Sequence, residues 1–284
     1  NFTNFGALSD GSPVLTRNQG QSGSDSVIWS RGNHTFTFGA QFTRNDLNNL
    51  TDQNGRGTLN FTGFATSQFT ANGNPAPNTG FDFADFLLGY AQSSSIRYGD
   101  TSTYFRQNQW AGFGQDECKV NANLTLLMGL RYEYFAPFTE KYGRLANLDI
   151  APDYSSVSVV TPGETGQYSG YFPNGLINPD RLNFAPRFGL AWKVPHNGPS
   201  TIVRAGYGIY YNGQAYIQFP SRLSQQPPFT TASINSSSTL DNLLEIQTAF
   251  NPSGVAGLVT NTYAVDKDYR TPYAQTWNVS IQQE

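Results

Sequence analysis

The segment Leu124–Tyr134, LTLLMGLRYEY, sorts its side chains by parity. Leu124, Leu126, Met128, Leu130, Tyr132 and Tyr134 occupy one set of alternate positions. Thr125, Gly129, Arg131 and Glu133 occupy the other, with Leu127 the one apolar exception. A strand sends successive residues to opposite faces, whereas a helix would scatter these six around its circumference. The segment is therefore expected to be a strand with one apolar and one polar face. Its length of about ten residues suits a tilted strand that crosses a bilayer.

The pattern recurs. After a turn signal at Gly32 and Asn33, Phe36, Phe38, Ala40 and Phe42 alternate with Thr35, Thr37, Gly39, Gln41 and Thr43. Phe184, Phe188, Leu190, Trp192 and Val194 oppose Ala185, Arg187, Gly189, Ala191 and Lys193. Thr201, Val203, Ala205, Tyr207, Ile209 and Tyr211 oppose Arg204, Gly206 and Gly208; Tyr273, Gln275, Trp277, Val279 and Ile281 oppose Ala274, Thr276, Asn278 and Ser280. Tyr104–Lys119 reads as a further long strand, and Gly57–Phe64 and Ser93–Gly99 as weaker ones. Phe83, Phe86, Leu87 and Tyr90 have helical spacing, with Gly89 placed to end one short helix. Residues 1–25 read as a loop or the remnant of a preceding strand.

The connections alternate in length: short near Gly32, Asn121 and Pro195, long across about 46–103, 136–183 and 212–271. Compact soluble domains rarely hold long structureless loops. Transmembrane barrels join their strands by short periplasmic turns at one end and long extracellular loops at the other. The expected fold is all-β, with antiparallel strands over 26–284 forming part of a large transmembrane β-barrel. The rival is a soluble, secreted β-sandwich or propeller serving polysaccharide binding or adhesion, its apolar faces packed together.

Composition narrows the function. Charged residues make up 13% and aromatics 14%, where an ordinary soluble domain carries about 25% charge. A net charge of -3 gives no reason to expect nucleic acid as a partner. One cysteine, Cys118, excludes an internal disulfide framework and a thiolate-rich metal site. No apolar run is long enough for a membrane-spanning helix. His34 and His196 stand beside turns, Cys118 has no histidine near it in sequence, and Asp266 and Asp268 lack the rest of a calcium-loop pattern. Neither catalysis nor a cofactor or metal is expected.

If the apolar faces meet lipid, Arg131, Glu133, Arg187, Lys193 and Arg204 face the lumen, and a charge near mid-bilayer on the lipid side is not expected. These five are the candidate ligand-binding residues; the alternative is a hydrogen-bonded structural network. Tyr132, Tyr134, Phe135, Tyr210 and Tyr211 cluster at strand ends and are expected to form an interfacial aromatic girdle.

Taken together, WSRGNHTFTFGAQFTR, FADFLLGYAQSSS, LTLLMGLRYEYFAPFTEKYGRLANLD, NFAPRFGLAW and VRAGYGIYYN resemble the barrel of Oar-like TonB-dependent receptors, the branch that carries a carboxypeptidase-regulatory-like domain. The resemblance runs from about Ser26 to Glu284. It implies an outer-membrane transporter that takes up a scarce or bulky solute, powered by the TonB complex through a plug domain, with outer-membrane lipid as surroundings. On that resemblance the 284 residues are expected to be one portion of a larger barrel. Ser221–Phe229 and Glu140–Asp149 are the loop segments expected to grip the ligand.

Overall fold

The structure is a computed structural model that describes all residues except 10, 12–13, 52–53, 100–101, 196–197, 199, 252–261 and 284. Seven long strands carry it: β1 (Val14–Arg31), β2 (His34–Thr51), β3 (Ser102–Asn121), β4 (Leu124–Phe135), β5 (Phe184–Val194), β6 (Thr201–Tyr211) and β7 (Tyr273–Gln283). They lie in one sheet in chain order, with Thr139–Glu140 added beside β3. The pairs from β3 through β7 are antiparallel. The sheet is not closed, and β1 and β7 are its two edges. Unpaired edges are not tolerated in hydrocarbon, and the arrangement is that of an arc of a larger barrel.

Register carries the parity of single strands across the sheet. Met128 lies opposite Phe188, Phe188 opposite Tyr207, and Tyr207 opposite Trp277. The neighbouring row places Gly129 opposite Arg187 and Arg187 opposite Gly208. One face is therefore apolar from strand to strand, and no second sheet covers it among the described residues. Phe188 is 53% exposed and Trp277 75%. A sandwich would bury such a face against its partner sheet, so the soluble alternative is overturned.

β1 begins at Val14, well inside the stretch read as a loop or the remnant of a preceding strand. Its first half, VLTRNQGQSG, has no alternation to read. Ladder hydrogen bonds to β2 hold it regardless of side chain, and a strand outside an apolar band needs no apolar face. β2 likewise runs on to Thr51.

By contacts the chain divides into two compact units. The first comprises Asn18–Leu47, Tyr104–Pro220 and Val265–Glu284, and carries most of the sheet. Its buried apolar core sits in the loop between β4 and β5, around Phe138, Leu145, Val160, Phe172, Leu176 and Ile177. That loop, expected to be structureless, holds two small hairpins, Asn147–Ile150 with Val157–Val160 and Thr165–Gly166 with Gly170–Tyr171. Asp149 ties them together by accepting hydrogen bonds from the backbone N–H of Tyr168 (2.6 Å) and Ser169 (3.3 Å). Burial alone would raise the Asp149 pKa. The Ser169 hydroxyl, those two amides and the charge of Lys267 outweigh it and hold the carboxyl below its ordinary value.

The second unit comprises Asn1–Arg17, Asn48–Thr103 and Ser221–Ala264. It contains a three-stranded sheet, Thr230–Ser236, Ser93–Gly99 and Thr58–Asn60, and a short helix α1 (Asp82–Leu88) that ends at Gly89 as its spacing suggests. The helix buries its acids and not its leucines. Asp85 is fully buried and accepts hydrogen bonds from the Thr66 N–H (3.0 Å) and hydroxyl (2.8 Å). Phe83 and Phe86 join Phe2, Phe5 and Phe61 in a ring cluster.

Candidate functional site

On the polar face of the sheet, two glycines set the local geometry. A Cβ at Gly39 would stand 2.6 Å from the Phe113 ring, and one at Gly208 would stand 3.1 Å from the Tyr210 ring. Each glycine thus leaves room for an aromatic ring against the backbone, a covering that restores apolar contact where the glycine has no side chain. Each ring in turn carries an arginine. The Arg131 guanidinium stands 5.8 Å from the Phe113 centroid and that of Arg187 stands 4.8 Å from the Tyr210 centroid, within cation–π range.

The two arginines differ in what they bond. Arg131 Nε donates to Glu133 Oε1 at 2.8 Å, and its Nη2 donates to Gln41 Oε1 at 3.3 Å. Arg187 Nε is buried with no hydrogen-bond partner among the described residues. Both side chains line a depression of about 120 Å³ with Phe113, Gln115 and Leu130. A second, of about 210 Å³, runs from Arg131 and Glu133 to Gln41, Thr43 and Gln109.

All five residues expected on one face are found there. Arg131, Glu133 and Arg187 gather toward the long-loop end. Lys193 and Arg204 lie toward the short turns, Lys193 opposite Ile202 and Arg204 opposite Ala191, and Arg204 donates to Gln282 at 3.0 Å. Register adds Glu117 and Lys119 to the same face, opposite Leu127 and Thr125. On strands β2 to β7 that face holds five cations and two carboxylates, although the chain as a whole carries a net charge of -3. Gln41, Phe113 and Tyr210 were not anticipated as parts of the site: Gln41 and Phe113 act across strands, where a single strand's pattern leaves no mark, and Tyr210 covers Gly208 two residues before it on its own strand.

The aromatic girdle is corrected in two members. Phe135 and Tyr210 stand at odds in parity with Tyr134 and Tyr211, and fall on the polar face; Phe135 is buried against Gly213. On the apolar face Phe42 meets Trp110 (4.3 Å between centroids), Tyr132 meets Phe184 (5.0 Å) and Tyr211 meets Tyr273 (5.8 Å), all near the long-loop end. Trp192 marks the other end of β5, and Trp29 stacks on Phe36 at 5.4 Å near the β1–β2 turn. From Phe184 to Trp192 is about 26 Å along the strand, or roughly 20 Å of height at a barrel strand's tilt. Two aromatic rows bounding an apolar band of that height fit a bilayer.

Charges do occur with the parity of the apolar face: Asp46 with Arg44 and Arg106 beyond the Phe42–Trp110 row, and Asp116 toward the β1–β2 turn. Asp116 lies opposite Met128 and accepts from His34 Nδ1 at 2.8 Å, and His34 Nε2 is 3.8 Å from Cys118 Sγ. The histidine that Cys118 lacks in sequence is thus supplied by the neighbouring strand. His196 lies outside the described residues. Asp266 accepts from the Asp268 N–H (2.9 Å), which is turn chemistry, and Asp268 accepts from Asn178 Nδ2 (2.8 Å), a contact between two loops. Among the described residues no group of three or more His, Cys, Asp and Glu side chains is placed to hold a metal ion.

A meander whose apolar face is uncovered, bounded by aromatic rows and joined by alternating short and long connections, defines a β-barrel membrane protein. The chain belongs to the outer membrane beta barrel domain family, whose model matches residues 1–284, and it is an outer-membrane protein. No curated protein and no solved structure matches it.

Proposed function

We propose that this barrel segment serves an outer-membrane transporter of the TonB-dependent, Oar-like type, which imports a scarce or bulky solute and carries out no chemistry on it. The polar face lines the lumen, and the folded long loops stand outside and receive the solute. Energy comes through TonB, the partner that the resemblance implies. The observation that supports this most is the collection of five cations and two carboxylates on one face of the sheet, with Arg131, Glu133 and Arg187 at the end from which residues 136–183 extend. A lumen with no solute to guide has no need of so one-sided a charge.

The two loop segments first expected to grip ligand are only partly exposed. Glu140–Asp149 contains Leu145, Ala146 and Asn147, all without exposure, and Ser221–Phe229 contains buried Leu223, Ser224 and Gln226. These buried residues are loop core. The test is therefore to replace residues 136–183 as a whole by a short turn, which the antiparallel register of Tyr132 with Phe184 permits. Solute uptake by intact cells should fall at least tenfold while the barrel still assembles in the outer membrane. Unchanged uptake in a properly assembled variant would reject the transporter reading.

A further inference from the structure

We infer that Arg187 is the oxyanion-receiving group of the polar face and that the solute presents a carboxylate or phosphate to it; this rests on the lumen reading of that face given above. Of the three arginines there, two are spent within the protein: Arg131 on Glu133 and Gln41, Arg204 on Gln282. Arg187 makes no side-chain hydrogen bond or ion pair among the described residues, and its Nε is buried. A buried donor without a partner costs free energy and calls for an explanation. The cation–π contact with Tyr210, 4.8 Å from guanidinium to ring centroid, helps hold the guanidinium in place without using any of its N–H groups. A guanidinium fork held against a ring, with its donors unspent, is the arrangement that takes two oxygens of one carboxylate or phosphate.

The surroundings agree with a small anion and not with a cation. The depression beside Arg187 measures about 120 Å³, room for roughly four waters or one oxyanion. Arg131 is its other charged lining residue, and Gln115 supplies a neutral donor. Glu133, the nearest carboxylate along β4, is engaged by Arg131 at 2.8 Å and so repels an incoming anion less than a free one would. Gly129, directly opposite Arg187 on β4, adds no side chain on that flank, while on the other flank the Tyr210 ring covers Gly208.

Inorganic phosphate is the probe. Titrated calorimetrically into the complete detergent-folded barrel that carries this segment, at fixed ionic strength, it should bind saturably. Arg187→Gln should weaken that binding at least tenfold, and Arg187→Lys at least fivefold because the charge stays while the fork is lost. Lys193→Gln, on the same face but distant from the depression, should change it less than threefold. Circular dichroism and heat-modifiable migration on gels establish that each variant is folded. Saturable phosphate binding that survives Arg187→Gln within twofold, or no saturable binding by the parent protein, overturns the inference; full affinity in Arg187→Lys overturns its bidentate form. Loss of the anion site with uptake still dependent on the 136–183 loop removes this inference alone. Intact phosphate binding with uptake indifferent to that loop removes the transporter reading instead.

Discussion

Phe188→Arg offers a sharp probe of which way the sheet faces. Phe188 lies midway between Phe184 and Trp192 on a strand paired on both sides, opposite Met128 and Tyr207, so it sits at the centre of the apolar band. An arginine on the lipid face at mid-bilayer costs roughly 2–4 kcal/mol, a change of about 30- to 700-fold in the folding equilibrium. The opposite face supplies the control. Leu127→Arg introduces the same charge at the same height, beside Glu117 on the polar side, and should cost less than about 1 kcal/mol. Reversible urea unfolding in lipid vesicles of stated composition measures both. If the apolar face instead met water, Phe188 at 53% exposure would be an ordinary surface position, and its replacement would stay within about 0.5 kcal/mol. Equal effects from Phe188→Arg and Leu127→Arg would refute the two-faced assignment.

Gly39→Val should destabilise by about 1–3 kcal/mol, since its Cβ would meet the Phe113 ring at 2.6 Å and the Asp25 carbonyl at 2.9 Å; Gly129→Ala, whose nearest neighbours stand at 3.5 Å, should be nearly silent in the same urea titration. The Asp149 pKa is lowered by folding, so the carboxylate's contribution to the β4–β5 loop is complete above the ordinary carboxylate range and is lost as pH falls through and below it. Protease nicking of residues 136–183 should therefore rise on acidification in the parent and not in Asp149→Asn, and identical pH profiles would contradict the role given to that carboxylate.

The membrane strands were legible because their side chains answer to two solvents at once. Leu124–Tyr134 and Phe184–Val194 show clean parity, and both appear as β4 and β5 within one residue of the ends read from sequence. Where one solvent surrounds the strand, the mark vanishes, as in Val14–Gly23. Loop structure was illegible for a different reason. Leu145, Phe172 and Leu176 reach a common core from turns and two-residue strands, and no period relates them. Helix α1 followed its spacing, yet its buried side proved to be Asp82 and Asp85, because backbone amides of the preceding loop need carboxylate acceptors. At the site, sequence parity assembled Arg131, Glu133 and Arg187 on one face. It did not tell which arginine was free, since Gln41 and Gln282 come from other strands.

Lipid contact of the apolar face can be tested directly through the four tryptophans of the chain, Trp29, Trp110, Trp192 and Trp277, each of which stands on that face. Trp277 lies four residues inside the Tyr273–Tyr211 row, about 13 Å along the strand, and should be the deepest of them. The measurement is fluorescence quenching of a variant that keeps Trp277 alone, folded in vesicles whose acyl chains carry bromine. Strong quenching by the brominated lipid with little by aqueous iodide is the predicted result. Quenching by iodide and none by the lipid would place the apolar face in water and contradict the account.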